Sequence, residues 1–220
     1  MARVRVWDFP VRFVHWAMVA LLVGLVTTGK LGGDLLVWHM RMGYALITLI
    51  VFRVIWGFVG SRNARFSAFL YPPSRVIGYA RSMRSKHEVH ATHNPAGGWM
   101  VVALLIAMLV QTTTGLFTND DILWGGPLSE KVSKETSDAF SSVHRRWWWV
   151  VAALSALHVG AVLAYLVMLK DNLIAPMFTG YKILPRDAAN PADAAASMVR
   201  AIALLALCGV AIWYAFARNG

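Results

Sequence analysis

Residues 144–169 of the chain read HRRWWWVVAALSALHVGAVLAYLVML. From Trp147 onward the stretch has no charged side chain, and it is as long as the ~17–25 helical residues that cross a bilayer. His144 and His158 are fourteen residues apart. On a helix this spacing places them about 21 Å apart along the axis and within about 40° of one face. The stretch therefore predicts a membrane-spanning helix that presents histidines at two depths.

Four further stretches are apolar enough to cross a bilayer: residues 13–29, 37–60, 95–119 and 201–217. Because helices satisfy their own backbone hydrogen bonds in lipid, the chain is predicted to be an all-α integral membrane helical bundle. A signal peptide is the other interpretation of the first stretch. No small-residue cleavage site follows it, so a retained helix is expected.

Composition agrees with a membrane protein: 58% of the 220 residues are hydrophobic and 15% are charged. Soluble domains have about 45–50% apolar and about 25% charged residues. The single cysteine, Cys208, excludes an intramolecular disulfide and cysteine-bound clusters, and it is expected to pack as a small apolar residue. Any cofactor must then be held by histidine, carboxylate or packing.

The net charge of +10 predicts the orientation. With the N-terminus inside, the inner segments hold 13 basic residues and the outer segments hold 7. Basic residues favour the cytoplasmic side. We therefore expect a multi-pass protein of the bacterial cytoplasmic (inner) membrane, in contact with membrane lipid, with a cytoplasmic N-terminus and a periplasmic C-terminus. The positive charge is a topology signal, and no nucleic-acid partner is expected.

Depth sorts four histidines into two pairs. His15 opens the first span near the inner surface, and His39 opens the second near the outer surface. The predicted pairs are therefore His15 with His158, and His39 with His144. Two facing imidazoles are what a b-type haem requires, so the pairs predict an inner and an outer haem iron site. A single intramembrane histidine can instead hydrogen-bond a neighbouring helix. Four that pair by depth favour haem.

Arginines near these histidines are candidate partners of the haem propionates, because a guanidinium binds a carboxylate with two hydrogen bonds. Arg12 and Arg53 are at the depth of the inner haem, and Arg41 and Arg145, with Arg146, are near the outer one. Snorkelling to lipid phosphate is the alternative for Arg12 and Arg41. Arg53 is deeper in its span, which favours a functional role.

The connections add weaker signals. Residues 74–86 are predicted to form an amphipathic helix at the inner surface, with Val76, Tyr79, Ala80 and Met83 on its apolar side, and residues 118–141 a structured outer loop. His87, His90 and His93 have the spacing of a metal site, but a solvated basic loop is the favoured interpretation. Gln111-Thr112-Thr113-Thr114 can bind a quinone headgroup, or the threonines can bond their own helix.

The residues resemble those of a known family. Val6-Trp7-Asp8-Phe9-Pro10-Val11-Arg12-Phe13-Val14-His15-Trp16 is similar to the first-helix signature of the prokaryotic cytochrome b561 family, especially its hydrogenase b-subunit-like members. Three further stretches are similar to that family. The first is the end of the second helix, from Phe52-Arg53 to Ser61-Arg62, and the second is the run His93-Asn94-Pro95-Ala96-Gly97-Gly98. The third is the fourth helix, followed by Lys170-Asp171-Asn172-Leu173 and Thr179-Gly180-Tyr181-Lys182.

This resemblance implies a four-helix domain over residues 1–185 that carries two b-type haems on the same four histidines. It also implies electron exchange with the quinone pool and a partner redox protein, such as a c-type cytochrome or a hydrogenase-like subunit. Residues 186–220, a linker and the fifth transmembrane helix, depart from the family's core. That helix has no histidine and is expected to dock beside the bundle or against a partner.

The leading hypothesis is a di-haem electron carrier between quinone and a redox protein. The second is a haem-bearing membrane anchor subunit of a larger oxidoreductase such as a hydrogenase. The third is a histidine-lined metal transporter, which the lack of broken helices and inverted repeats disfavours. No catalytic residue is assigned, and whether the chain belongs to an enzyme is left open.

Overall fold

The computed structural model of the chain describes residues 2–82, 91–122, 124–184 and 198–217. Its helices in chain order are α1 (Phe9–Leu31), α2 (Leu36–Val59), α3 (Pro73–Ser82), α4 (Pro95–Gly115), α5 (Lys134–Val167), α6 (Ile174–Thr179) and α7 (Met198–Ile212). A π-helical turn, Trp213–Ala217, extends α7. All except α3 and α6 belong to the five segments long and apolar enough to cross a membrane. The predicted membrane helical bundle with five spans is confirmed.

Helix α5 is longer than its apolar sequence. It begins at Lys134, so the predicted end of the outer loop at residue 141 is wrong. The backbone N–H of Thr136 donates to Ser133 Oγ (3.3 Å), which caps the helix, and Lys134 pairs with Asp138 one turn later (3.2 Å). Hydropathy does not predict these first turns of α5, because their side chains are mostly polar.

The rest of this predicted outer connection, residues 118–122 and 124–133, is structured, as expected. The Gly126 N–H donates to Thr118 O (2.7 Å), and the Leu128 N–H donates to Leu116 O (2.9 Å). At the other predicted surface element, α3 covers Pro73–Ser82 with Tyr79 buried and Arg81 exposed. Met83, His87 and His90 lie outside the described residues.

A small antiparallel sheet, which the sequence pattern does not predict, joins strands β1 (Ala2–Arg5) and β2 (Tyr181–Leu184). Ala2 lies opposite Leu184 and Arg5 lies opposite Tyr181. The alternation of apolar and basic residues in β1 is only four residues long. Pairing with a segment almost 180 residues later along the chain is a tertiary event that such a short pattern does not reveal.

The helices contribute to two compact units of the chain. The first unit comprises residues 1–13, 54–104 and 154–201. One of its buried polar residues is Asp8, which is 3% exposed. The Asp8 carboxylate accepts hydrogen bonds from the Val11 N–H (2.7 Å), Trp56 Nε1 (3.0 Å) and Ser61 Oγ (2.6 Å). One carboxylate thus caps α1 and joins it to the end of α2.

The second unit comprises residues 14–53, 105–153 and 202–220. Its core is apolar and is drawn from several helices; the buried side chains include Val14, Leu46, Ile50, Phe52, Ala107, Met108 and Val151. Cys208 is buried among them as a free thiol, as predicted. Three of the four candidate histidines, His15, His39 and His144, belong to this unit.

Candidate haem site

Within the second unit, His39 of α2 and His144 of α5 face each other. Their ring centroids are 6.2 Å apart and their planes are at 87°. A metal–imidazole bond is about 2 Å long and a centroid lies about 1 Å beyond its nitrogen, so two rings on opposite sides of one metal are about 6 Å apart. The separation therefore fits axial ligands of one iron.

Hydrogen bonds at the Nδ1 atoms of His39 and His144 define the tautomers of both rings. His39 Nδ1 is 3.0 Å from the carbonyl oxygen of Leu25, and His144 Nδ1 is 2.8 Å from that of Gln111. A carbonyl can only accept, so each Nδ1 carries the proton and each Nε2 keeps its lone pair. Histidines that bind metals commonly donate their other N–H in this way. The donor set fits haem.

The site provides two imidazole ligands. Among the residues that the structure describes, no group of three or more histidine, cysteine or acidic side chains could hold a metal ion. Structural zinc takes four protein ligands, and catalytic zinc takes three. Two imidazoles are sufficient for haem, because the porphyrin supplies the remaining ligands.

Gln111 of α4 is a site residue whose interaction with His144 the sequence did not reveal. Its amide Nε2 is 3.3 Å from His144 Nδ1, 3.4 Å from His144 Nε2 and 3.1 Å from the His144 carbonyl oxygen. Its Oε1 is buried and has no hydrogen-bond partner in the described part of the chain. Thr112 and Thr114 donate to Met108 O (2.9 Å) and Val110 O (2.8 Å), as the interpretation of helix back-bonding expected.

His15 and His158 belong to different units of the chain. His15 is half-buried in α1, and its ring packs edge-on against Trp16 with centroids 5.0 Å apart. His158 is half-buried in α5. A single helix contains both His144 and His158, as predicted. The pairing of His15 with His158 stays a prediction.

The candidate arginines differ in their surroundings. Arg53 is 7% exposed, whereas Arg41 and Arg145 are exposed. The Arg41 guanidinium lies 5.1 Å from the Trp38 ring centroid, a contact that suits an interfacial residue. Arg12 donates to the carbonyl oxygen of Phe178 near the end of α6. Their roles toward haem propionates stay predictions.

His93 packs in the first unit against two aromatic rings. Its ring centroid is 4.8 Å from that of Trp7 and 4.5 Å from that of Phe69. This aromatic packing places His93 beside buried side chains, in contrast to the predicted solvated loop. The predicted solvated loop is therefore wrong for the His93 ring, which is half-buried against these two aromatic side chains.

The model of the prokaryotic cytochrome b561 family matches residues 6–180. The chain belongs to this family. Two similar proteins are the probable Ni/Fe-hydrogenase B-type cytochrome subunit of Bradyrhizobium diazoefficiens and the probable Ni/Fe-hydrogenase 1 B-type cytochrome subunit of Escherichia coli. The first is 21% identical over 210 residues, covering 80% of this chain and 85% of that protein. The second is 22% identical over 219 residues, with 80% and 89% covered. No solved structure matches the chain.

As a cytochrome b561 family member, the protein is a multi-pass bacterial membrane protein that carries haem b and transfers electrons. The family match ends before α7, so the fifth helix lies beyond it. All four candidate histidines lie within the match.

Proposed function

We propose that this cytochrome carries two b-type haems and transfers electrons between the quinone pool and a partner redox protein. The observation that carries the proposal is the His39–His144 pair. With a ring separation of 6.2 Å and the proton of each ring on Nδ1, His39 and His144 would hold the iron of the outer haem through their Nε2 atoms. When bound, haem b supplies a one-electron couple. Histidine on both sides leaves no open position for a substrate, which favours electron transfer.

The second haem is proposed on sequence grounds. His15 is near the start of α1, and His158 follows His144 by fourteen residues on α5. Both therefore belong at the inner depth, and we assign them to the inner haem iron. Arg12 and Arg53 are its proposed propionate partners, because both belong at the inner depth and a guanidinium binds a carboxylate with two hydrogen bonds. Arg41 and Arg145 are proposed to serve the outer haem in the same way.

The orientation and the partners follow from charge and from the relatives. We propose a cytoplasmic N-terminus and a periplasmic C-terminus, because the predicted inner segments hold the larger share of basic residues. The outer haem is then accessible to a periplasmic redox protein, either a hydrogenase-like subunit or a c-type cytochrome. Quinone is the proposed partner within the membrane. The linker and α7, residues 186–220, are proposed as a separate element that docks beside the four-helix domain of residues 1–185.

A second candidate function is a haem-bearing membrane anchor of a larger oxidoreductase. It is favoured by the two relatives, whose names describe them as subunits of Ni/Fe-hydrogenases. Purification in a mild detergent separates the two candidates. An anchor subunit is expected to co-purify with a stoichiometric redox subunit, whereas a free carrier is expected to purify alone and still oxidise quinol analogues.

Haem content of the purified chain tests the proposed ligands. We expect a b-type reduced-minus-oxidised spectrum and two haems per chain. His39→Ala or His144→Ala is expected to remove one haem, and His15→Ala or His158→Ala is expected to remove the other. His87→Ala, which changes a histidine outside both proposed pairs, is the control and is expected to keep two. A folded chain without haem, or histidine variants that keep both, would show that the proposal is wrong.

A further inference from the structure

Two five-residue segments of the chain have similar sequences and similar surroundings. Residues 25–29 of α1 read LVTTG, and residues 111–115 of α4 read QTTTG. Each segment ends in Thr-Thr-Gly, and each contacts one of the two facing histidines of the second unit. We call them the Thr-Thr-Gly segments.

The contacts are equivalent position by position. The first residue supplies the carbonyl that accepts the Nδ1 proton: Leu25 for His39 (3.0 Å) and Gln111 for His144 (2.8 Å). The fourth residue places a hydroxyl beside the same nitrogen: Thr28 Oγ1 at 3.3 Å from His39 Nδ1, and Thr114 Oγ1 at 3.4 Å from His144 Nδ1. Both threonines are buried, with 9% and 6% of their surface exposed.

The threonine hydroxyls can only accept from the histidines. Thr28 Oγ1 donates its proton to Gly24 O (2.8 Å), and Thr114 Oγ1 donates to Val110 O (2.8 Å). A hydroxyl has one proton, so the oxygen that remains faces the imidazole as an acceptor. Each Nδ1–H is thus shared between a carbonyl and a hydroxyl. The arrangement disfavours the tautomer with the proton on Nε2, because that tautomer would bring lone pairs together.

The glycine at the fifth position provides the space for the ring. A Cβ on Gly29 would lie 3.0 Å from His39 Cε1, and a Cβ on Gly115 would lie 2.9 Å from His144 Cε1. Both distances are shorter than carbon atoms ordinarily allow. An alanine at either position would therefore push the imidazole away from the helix that holds it.

We propose that the two Thr-Thr-Gly segments are matched cradles that position the axial ligands of the outer haem, with Thr28, Gly29, Thr114 and Gly115 as positioning residues. The inference rests on the proposed ligation by His39 and His144. The cradles hold the proton on Nδ1 and increase the electron donation of each imidazole, which favours ferric iron. Gln111 makes them unequal, because its amide contacts only His144.

Redox titration of the full-length protein tests the threonines. Thr28→Val and Thr114→Val each remove one acceptor and keep the side-chain shape. Loss of a partner of this kind typically weakens metal binding about 10–100-fold. A tenfold loss confined to the ferric state would raise the outer haem potential by about 59 mV, the conversion for one electron.

The chain offers a matched control for each threonine. Thr27 and Thr113 precede Thr28 and Thr114 and are exposed, so Thr27→Val and Thr113→Val are expected to leave the potential unchanged. Thr28→Ser and Thr114→Ser keep the hydroxyl and are expected to restore the wild-type potential. The proposal is wrong if the outer haem has the same potential in each variant as in its control. The two comparisons are Thr28→Val with Thr27→Val, and Thr114→Val with Thr113→Val.

Haem retention tests the glycines. Gly29→Ala and Gly115→Ala are expected to lower the affinity for the outer haem at least about tenfold. Gly43→Ala on α2 is the control, because in the described part of the chain no atom of a neighbouring residue lies within 4 Å of its added Cβ. If His39→Ala and His144→Ala lose the outer haem while the threonine and glycine variants match their controls, the proposed role of the Thr-Thr-Gly segments is wrong. The proposed ligation by His39 and His144 is then still supported. If the histidine variants keep both haems, the ligation itself is wrong.

Discussion

The imidazole planes of His39 and His144 are almost perpendicular, at 87°, with the two rings 6.2 Å apart. Each ring is held by a different helix, because the Nδ1 partner of His39 is in α1 and that of His144 is in α4. The angle between the rings is therefore set by the packing of helix pairs and not by rotation of free side chains. This angle has a spectroscopic consequence.

If His39 and His144 hold the outer haem as proposed, its oxidised form is expected to give a highly anisotropic low-spin electron paramagnetic resonance signal. Perpendicular imidazoles make the two π-type iron orbitals nearly equal in energy, whereas parallel rings separate them and give a rhombic signal. The measurement is a low-temperature spectrum of the purified ferric protein, with His39→Ala as the control that removes the signal. A rhombic signal from the outer haem would contradict the perpendicular arrangement.

Replacement of Asp8 is expected to destabilise the protein. Asp8→Ala leaves the buried donors of Val11, Trp56 and Ser61 without their carboxylate acceptor. Each unsatisfied donor is expected to lower the free energy of unfolding by about 1–3 kcal/mol. Thermal unfolding in detergent should show a clearly lower midpoint. Asp34→Ala, at an exposed aspartate, is the matched control and should unfold like the wild type. Equal midpoints for the two variants would exclude the proposed role of Asp8.

The ion pair between Lys182 and Asp171 is expected to contribute more to the free energy of unfolding than the ion pairs of Lys134. Lys182 and Asp171 are 2.9 Å apart, and their side chains are 9% and 12% exposed. Lys182→Met leaves a buried carboxylate without this partner and should cost about 3 kcal/mol. Lys134 is exposed, and its pairs with Asp121 and Asp138 are screened by water, so Lys134→Met should have little effect on the same thermal midpoint. The reverse order would contradict this assignment.

Tyr181 is expected to ionise at a lower pH than an ordinary tyrosine. The Arg5 guanidinium donates a hydrogen bond to the phenol oxygen (2.9 Å) and lowers the pKa of Tyr181 below its usual value of 10.0. Folding then favours the phenolate, so stability rises with pH between the lowered pKa and 10.0, and this contribution is lost as the pH falls through the lowered pKa.

Ultraviolet absorbance of the phenolate measures this titration, with Tyr181→Phe used to isolate the signal. Arg5→Gln is expected to return the pKa of Tyr181 toward 10.0. Arg75→Gln, at an arginine that contacts Tyr71 instead, is the control. If the titration of Tyr181 is the same with and without Arg5, the hydrogen bond across β1 and β2 does not form in solution.

Much of the architecture was predictable from local properties of the chain. Hydropathy identified all five spans, because the cost of exposing polar groups to lipid acts on each segment separately. Membrane depth selected His39 and His144 as a pair, and the structure brings these two rings together. The extension of α5 to Lys134 and the β1–β2 sheet were missed, because polar helical turns and four-residue strands carry no strong pattern.

The sequence by itself determined the membrane class, the five spans and the histidines available at each depth, since hydropathy and periodicity are properties of neighbouring residues. Only the tertiary structure decided which nitrogen of His39 and of His144 carries the proton. It also showed that Thr28, and not Thr27, faces an imidazole. These choices depend on a carbonyl, a hydroxyl and a missing side chain on another helix, and no reading of a single segment contains them.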